Sequence, residues 1–385
     1  MTTTISLAPE PEAPPRSGPQ AGGTLRGRIV EMLAIGGGTL LLFPLSWLAR
    51  AKLGRDAAED AVDFGAYYLA VAINNPHFAV TYLLFYRRFR QRALGGELGG
   101  WQRARYVAAG VVVPLGLAGW AWGALSAGSA QAIGYLAELM FLLVGWHYVK
   151  QGFGVLTVLS ARRGFRFSAW ERRAVLAHCY AGWAYAWANP SSPSKPLLEK
   201  GVVFLSIPRP AWLETVALVA LGASTLALGF ALGRMAWKER RFPPAVPLIS
   251  FFVTVWLWTI YSSLDPLMMY VIPALHSVQY LYVVALLKRG EARSEEGPPL
   301  FGKPFGTRIA ALSVGAVALG WVLFRGGPQF LDEAFARGMP RGDGLTTLGK
   351  TPYLAAIFVA LNIHHYFMDN VIWRREHPEA RHLRG

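Results

Sequence analysis

The sequence predicts an all-α, polytopic integral-membrane bundle of about ten transmembrane helices with both termini in the cytoplasm. Its composition is the first reason, because 53% of the 385 residues are hydrophobic and only 16% are charged, whereas soluble domains carry about a quarter charged residues. The second reason is a set of long uncharged runs, over residues 64–86, 106–137, 242–264 and 266–287. A bilayer core requires about 20 apolar residues in a helix.

The distribution of Lys and Arg is the third reason. Ten helices are predicted, over residues 29–49, 64–86, 106–126, 132–160, 172–189, 211–235, 244–262, 267–287, 309–324 and 352–373. Basic residues cluster after the second, fourth, sixth, eighth and tenth helices, as expected for cytoplasmic loops. The net charge of +15 is therefore interpreted as an orientation signal, with no nucleic-acid role. The expected location is a bacterial-type inner (plasma) membrane.

Three regions are predicted along the chain. Residues 1–27 are rich in Pro, Gly and small polar residues and are expected to form a disordered cytoplasmic tail. Residues 28–375 form the transmembrane domain, and residues 376–385 form a second cytoplasmic tail. The single cysteine, Cys179, excludes both a disulfide framework and a cysteine-based metal cage.

Histidines at bilayer depth are the main functional signal. Six of the eight histidines fall within predicted helices, although an ionisable residue there costs about 2.5–3.5 kcal/mol on insertion scales. His77, His147, His276 and the pair His364–His365 lie on four helices that run in the same direction. Each lies about ten to fifteen residues before a cytoplasmic basic cluster, so all lie within roughly 8 Å of one depth. Because imidazole is the commonest protein metal ligand, these residues are predicted to hold a metal.

Other polar residues accompany these histidines. Those predicted to orient the ligands are Asn75, Gln151, Gln279 and Asp369. Asp369, four residues after His365, is the best candidate for a carboxylate ligand or for an acceptor of an imidazole N–H. The candidates for substrate or proton handling are Tyr82, Lys150 and Tyr280.

The types of these residues suggest a reaction class. Histidine and carboxylate without thiolate suit iron, while zinc and copper are also compatible. An iron centre inside a bilayer predicts a non-haem oxidoreductase or oxygenase acting on a lipid or isoprenoid-like substrate. Two alternatives stay open. An ion- or proton-coupled transporter could use the same His, Asp and Lys residues, and a b-type haem protein could use two of the histidines as axial ligands.

A family resemblance accompanies these residues. Pro76–His77, the isolated His147 and His276, and the late His364–His365 pair resemble the sparse histidine layout of bacterial carotene dioxygenases of the Brp/Blh type. The resemblance covers these motif residues and not the whole chain. It implies a polytopic, iron-dependent enzyme that acts on a lipid substrate and holds its metal with four buried histidines.

Overall fold

Helices make up most of the protein. The computed structural model describes residues 25–188, 194–263, 266–293, 305–337 and 347–383. Within these ranges the helices are α1 Leu25–Leu53, α2 residues 55–86, α3 Phe89–Leu94, α4 Gly100–Ser126, α5 Ala130–Arg162, α6 Ala169–Ala188, α7 Ala211–Trp237, α8 Ala245–Ile260, α9 Pro266–Arg293, α10 Phe305–Phe335 and α11 Pro352–Ile372. Each segment predicted to be helical corresponds to one of these helices other than α3, although α2 begins nine residues before the predicted segment and α10 ends eleven residues after it. The all-α bundle is therefore confirmed.

Six of the described helices are long and apolar enough to cross a membrane, namely α1, α4, α5, α7, α9 and α10. They indicate a membrane protein. In the most apolar stretches of α5 and α9, 50% of the residues are buried, compared with 22% in α1 and α4. The helices α5 and α9 therefore lie inside the bundle. Large side chains such as Leu226 and Phe230 of α7 are exposed, as expected for a surface that faces lipid.

Several helices contain a π-helical segment, which shifts the backbone hydrogen-bond register. In α2 the segment Ala70–Asn74 joins Arg55–Leu69 to Asn75–Tyr86, directly before Pro76, which has no N–H to donate. In α1 the segment Leu33–Gly37 includes Gly36 at a φ of 126°, a conformation that favours glycine. In these segments some backbone carbonyls can accept hydrogen bonds from side chains. Two of them do so near the functional site.

A small β-hairpin interrupts the helical pattern and was not predicted. Strand β1, Pro196–Glu199, pairs antiparallel with β2, Val202–Leu205. The two residues between them, Lys200 and Gly201, have φ of 45° and 85°, as a tight hairpin turn requires. The hairpin lies against α5, where Phe204 packs onto Gly134. It also contacts the start of α11, because Thr351 Oγ1 donates to the Lys200 carbonyl over 2.7 Å.

The predicted tails fall partly outside the described residues, since residues 1–24 and 384–385 are not described. Residues 25–27, predicted as part of the first tail, belong to α1. After α11 the chain forms a 3-10 helix, Pro378–Leu383, in which Ala380 and Leu383 are buried. This end of the chain therefore packs against the bundle.

Candidate metal centre

Four histidines from four helices meet inside the bundle. They are His77 of α2, His147 of α5, His276 of α9 and His365 of α11. Each offers one ring nitrogen, and these four nitrogens lie within 4.8 Å of one another. The rings form a closed cycle in the order 77, 276, 147, 365, with neighbouring centroids 4.5–5.2 Å apart. At most 4% of any of the four residues is exposed, so the cluster is buried and compatible with metal binding.

One pair of ring nitrogens has the spacing of two ligands of one metal ion. His147 Nε2 and His276 Nε2 are 3.1 Å apart. Two imidazole nitrogens that each bind a metal at about 2.0–2.1 Å are separated by about 2.8–3.4 Å when the angle between the bonds is right or tetrahedral. The four donor nitrogens, which all lie within 4.8 Å of one another, would move closer together to surround one ion.

Several buried polar atoms without a hydrogen-bond partner belong to this cluster and to Asp369 beside it. Among the described residues they include His77 Nε2, His276 Nδ1, both ring nitrogens of His365, and Asp369 Oδ2. A buried polar atom without a partner costs about 1–3 kcal/mol. A cation would engage the lone pairs of the imidazoles and of the carboxylate together. The donor set of imidazole nitrogens and one carboxylate oxygen suits a first-row transition metal.

Asp369 places a carboxylate beside the ring of histidines. Its Oδ2 lies 3.4 Å from His365 Nε2 and 3.8 Å from His147 Nε2. Its Oδ1 lies 3.3 Å from Thr81 Oγ1 and 3.2 Å from Tyr280 OH, and these two hydroxyl oxygens are 2.7 Å apart. Because each hydroxyl has a single proton, one donates to the other and the second donates to Oδ1, while Oδ2 faces the imidazoles. Tyr280 lies at the site, with its ring centroid 4.4 Å from that of His77.

Ser277 fixes the tautomer of His77. Its Oγ donates to Asn74 Oδ1 over 2.8 Å or to the Pro273 carbonyl over 2.7 Å, and a hydroxyl has a single proton to donate. When the proton of Ser277 is on either of these two oxygens, which are closer to Oγ than the imidazole is, the N–H of His77 is the donor in the contact of 3.1 Å between Ser277 Oγ and His77 Nδ1. The lone pair of His77 is then on Nε2, the atom that faces the cluster. Sequence analysis missed Ser277, although it directly follows His276.

The structure brings His365, and not His364, into the cluster. His364 Nε2 donates to the Ala109 carbonyl over 2.9 Å, in the π-helical segment Ala108–Val112 of α4. Its Nδ1 then accepts from Tyr82 OH over 2.9 Å. Adjacent residues on a helix point about 100° apart, so only one of the pair can face the cluster. Tyr82, a candidate for substrate or proton handling, is thus a partner of His364.

The two glutamines predicted to orient the ligands form hydrogen bonds with backbone carbonyls and with each other. Gln151 Nε2 donates to Gln279 Oε1 over 2.8 Å and approaches the His276 carbonyl at 3.3 Å. Gln279 Nε2 donates to the Ile35 carbonyl of α1 over 2.5 Å. Ile35 lies in a π-helical segment. The glutamines therefore link α5, α9 and α1 directly around His276.

Two other candidates contact residues outside the cluster. Lys150 Nζ is 5.7 Å from the centroid of the Phe153 ring, which lies further along α5. The backbone of Asn75 lies against Gly320 of α10, where an added Cβ would come within 2.8 Å of it. The polar contact on this side of His77 comes instead from Asn74, through Ser277.

Aromatic side chains surround the imidazoles. The ring of His147 stacks on that of Tyr366, with 4.7 Å between the ring centroids. The ring centroids of Tyr148 and His276 are 4.5 Å apart, as are those of Phe78 and His365. Sequence analysis did not single out these residues, since aromatic residues are common throughout the chain. Their rings exclude water, so any charge at the cluster interacts strongly with its neighbours.

One further sequence pattern is explained by packing. Residues 344–351 match the phosphate-binding pattern Gly-x-x-x-x-Gly-Lys-Thr, which needs a strand before it and a helix after it. Residues 344–346 are outside the described ranges. In the described part, Gly349 packs closely on Gly201 of the hairpin, and the Thr351 hydroxyl donates to the Lys200 carbonyl. The threonine is therefore used to hold the hairpin.

No protein-family model matches this chain, and no curated protein or solved structure is significantly similar to it. The likeness to bacterial carotene dioxygenases therefore depends on the histidine motifs alone.

Proposed function

We propose that this chain is a multi-pass membrane metalloprotein that binds one metal ion between four histidines and acts as an oxidoreductase or oxygenase on a lipophilic substrate. The observation that supports it is the convergence of His77, His147, His276 and His365 within 4.8 Å, together with the unpartnered Asp369 Oδ2. Four imidazoles that are buried together without a cation would leave several polar atoms unsatisfied.

Iron is the metal that best fits the proposal. The donors are nitrogen and carboxylate oxygen, and there is no thiolate that would favour a softer ion. Bound iron would supply redox chemistry, with dioxygen as the co-substrate. The chain itself orients His77 through Ser277, places the charge of Asp369 near two ligands, and excludes water with its aromatic residues. A substrate that dissolves in the bilayer could reach such a site laterally.

A single ion fits the cluster better than haem does. Haem needs two axial imidazoles with a wide porphyrin plane between them. Here the ring centroid of every histidine lies 4.5–5.2 Å from those of two others. If two of the imidazoles were axial, the other two would occupy the porphyrin plane.

The proposal includes ten spans with both termini in the cytoplasm of a bacterial-type inner membrane. The alternation of Lys- and Arg-rich loops supports it. The helices α2 and α11 carry the histidines and other polar groups, which explains why their hydropathy is lower than that of an ordinary span. Reporters fused to the chain termini should be active only in the cytoplasm, and an external reporter signal at either end would contradict this topology.

Metal analysis of the purified protein tests the centre. We expect about one metal ion per chain in the wild type, and loss of the metal when any of His77, His147, His276 or His365 is replaced by alanine. His178→Ala is the matched control, because His178 is a fully buried intramembrane histidine outside the cluster. Wild-type protein without stoichiometric metal, or metal retained in all four variants, would refute the proposal.

The redox part of the proposal has a separate test. The bound metal should change oxidation state when ascorbate and then air are added to the purified protein, as followed by absorption and electron paramagnetic resonance spectra. A centre that contains only zinc would contradict the oxidoreductase assignment. Ion flux in proteoliposomes that is abolished by His276→Ala would favour the transporter alternative.

A further inference from the structure

The end of the chain contacts all four helices that carry the clustered histidines. We call residues 377–383 the clasp. They follow α11, which carries His365, and they contact α9, Arg162 at the end of α5, and Arg87, the residue after α2. Sequence analysis treated this part of the chain as a tail. Its side chains and backbone instead contact α5, α9 and the residue that follows α2.

Glu379 joins the clasp to the end of α2. Its Oε1 lies 2.6 Å from Nη2 of Arg87, the residue after α2, and it also pairs with Arg92 of α3. Arg87 in turn lies 3.5 Å from Glu291 of α9. Arg92 is only 1% exposed. Sequence analysis interpreted both arginines only as orientation signals, yet here they form an ion-pair network with two glutamates.

The charge on Glu379 persists at any ordinary pH. Burial by itself would raise the pKa of its carboxyl group, but Arg92 and Arg87 outweigh that effect and lower the pKa to about 2. The ion pairs that hold the clasp are therefore intact throughout the physiological range.

Backbone contacts attach the clasp to α5 and α9. Arg162 Nη1, at the end of α5, donates to the Leu383 carbonyl over 2.9 Å. The His382 carbonyl lies so close to Gly290 of α9 that a Cβ at that position would collide with it. The Leu383 side chain is buried in the same apolar cluster as Tyr280 of α9, whose hydroxyl bonds Asp369.

We propose that the clasp sets the spacing of the four ligand-bearing helices, and that Glu379 is a positioning residue for the metal centre. The inference rests on the proposed metal site. Arg87 lies about 15 Å beyond His77 along its helix, and Arg162 lies about 22 Å beyond His147. Over such lengths, a change in helix tilt of about 3° moves a side chain by about 1 Å. A metal site tolerates errors of only about 0.5 Å in the positions of its ligands.

Cobalt(II) provides the test, because its visible spectrum reports the geometry of its ligands. The full-length protein would be purified in detergent, stripped with chelator and titrated with cobalt. In Glu379→Gln, which removes the charge at nearly constant shape, and in Gly290→Ala, which displaces the clasp, we expect about tenfold weaker cobalt binding and an altered spectrum at saturation. Glu379→Asp should restore part of the affinity.

Two matched controls should bind cobalt as the wild type does. They are Glu376→Gln, an exposed glutamate next to the clasp, and Gly154→Ala, a helical glycine with no atom within 4 Å of an added Cβ. Arg162→Gln removes only one hydrogen bond from a half-buried side chain, so it should fold and show a smaller loss of affinity. This variant keeps the test decisive if the other two fail to fold.

The outcomes separate the clasp from the metal site. If wild-type protein binds cobalt and the clasp variants that fold match it in affinity and spectrum, the inference about the clasp is wrong while the metal site stands. If the wild type does not bind cobalt, the proposed function itself fails. A loss of affinity of equal size in the two controls would also contradict the clasp.

Discussion

Replacing Ser277 by alanine isolates the effect of a single hydroxyl group on the proposed centre. The serine is 0% exposed and receives the Nδ1–H of His77 over 3.1 Å. Ser277→Ala leaves the size of the side chain nearly unchanged but removes the acceptor. The imidazole then has a buried N–H without a partner, which costs about 1–3 kcal/mol, and it can turn or change tautomer to avoid this cost.

The expected loss of metal affinity follows from that cost. Removing a group that orients a metal ligand weakens binding by about 10- to 100-fold, which corresponds to about 1.4–2.7 kcal/mol. The cost of the unpartnered N–H and the expected loss of metal-binding free energy are of similar size. We therefore expect Ser277→Ala to bind cobalt or iron at least tenfold more weakly than the wild type. Competition with a chromophoric chelator measures this difference on detergent-solubilised protein.

Ser224 provides the matched control for this prediction. It is a buried serine that contacts another buried histidine, with 3.3 Å between Ser224 Oγ and His178 Nδ1. His178 lies outside the cluster, so Ser224→Ala should leave metal affinity unchanged. Wild-type affinity in Ser277→Ala, or an equal loss in Ser224→Ala, would refute the argument that Ser277 fixes the tautomer of a ligand.

Three further predictions concern stability, measured by thermal unfolding in detergent. Removing the metal with a chelator should lower the unfolding temperature, because a ligand at about 1,000 times its Kd stabilises the folded state by about 4 kcal/mol; an unchanged temperature would contradict metal binding. Gly152→Ala should destabilise by about 1–3 kcal/mol, since its Cβ would lie 2.8 Å from Thr254 Cγ2, whereas Gly154→Ala should be nearly neutral or slightly stabilising. Two arginines outweigh the effect of burial and lower the folded-state pKa of Glu379 to about 2, below the ordinary value of about 4.3. The contribution of the Glu379 ion pairs to the free energy of unfolding is therefore present above about pH 4.3 and is lost as the pH falls towards 2. Over that interval the wild type should therefore lose more stability than Glu379→Gln, and parallel losses would contradict the ion pairs.

The histidine cluster could be anticipated because a helix has a fixed rise per residue. Counting from the basic loops placed His77, His147 and His276 at similar depth, and the structure brings them together. The choice between His364 and His365 was left open by the same argument. Depth along a helix follows from sequence, whereas the direction in which each side chain points depends on how α11 is rotated against its neighbours.

Contacts between distant parts of the chain were harder to predict from the sequence. Ser277 bonds His77, which is 200 residues away in sequence, and no local pattern marks such a pair. The hairpin at residues 196–205 was missed because a short apolar run beside predicted spans resembles a loop. The clasp was interpreted as a tail because its charges are paired only when Arg87 and Arg92 are brought to Glu379.

The all-helical, membrane-type character of the chain, the approximate positions of its helices and the shared depth of its histidines follow from composition and from the regular rise of a helix. Only the tertiary structure decided which imidazoles face one another, that Asp369 stands beside them, and that the end of the chain joins the helices that carry them. Helix rotation and packing between distant segments decide these features, and they arise from the contacts of the whole bundle.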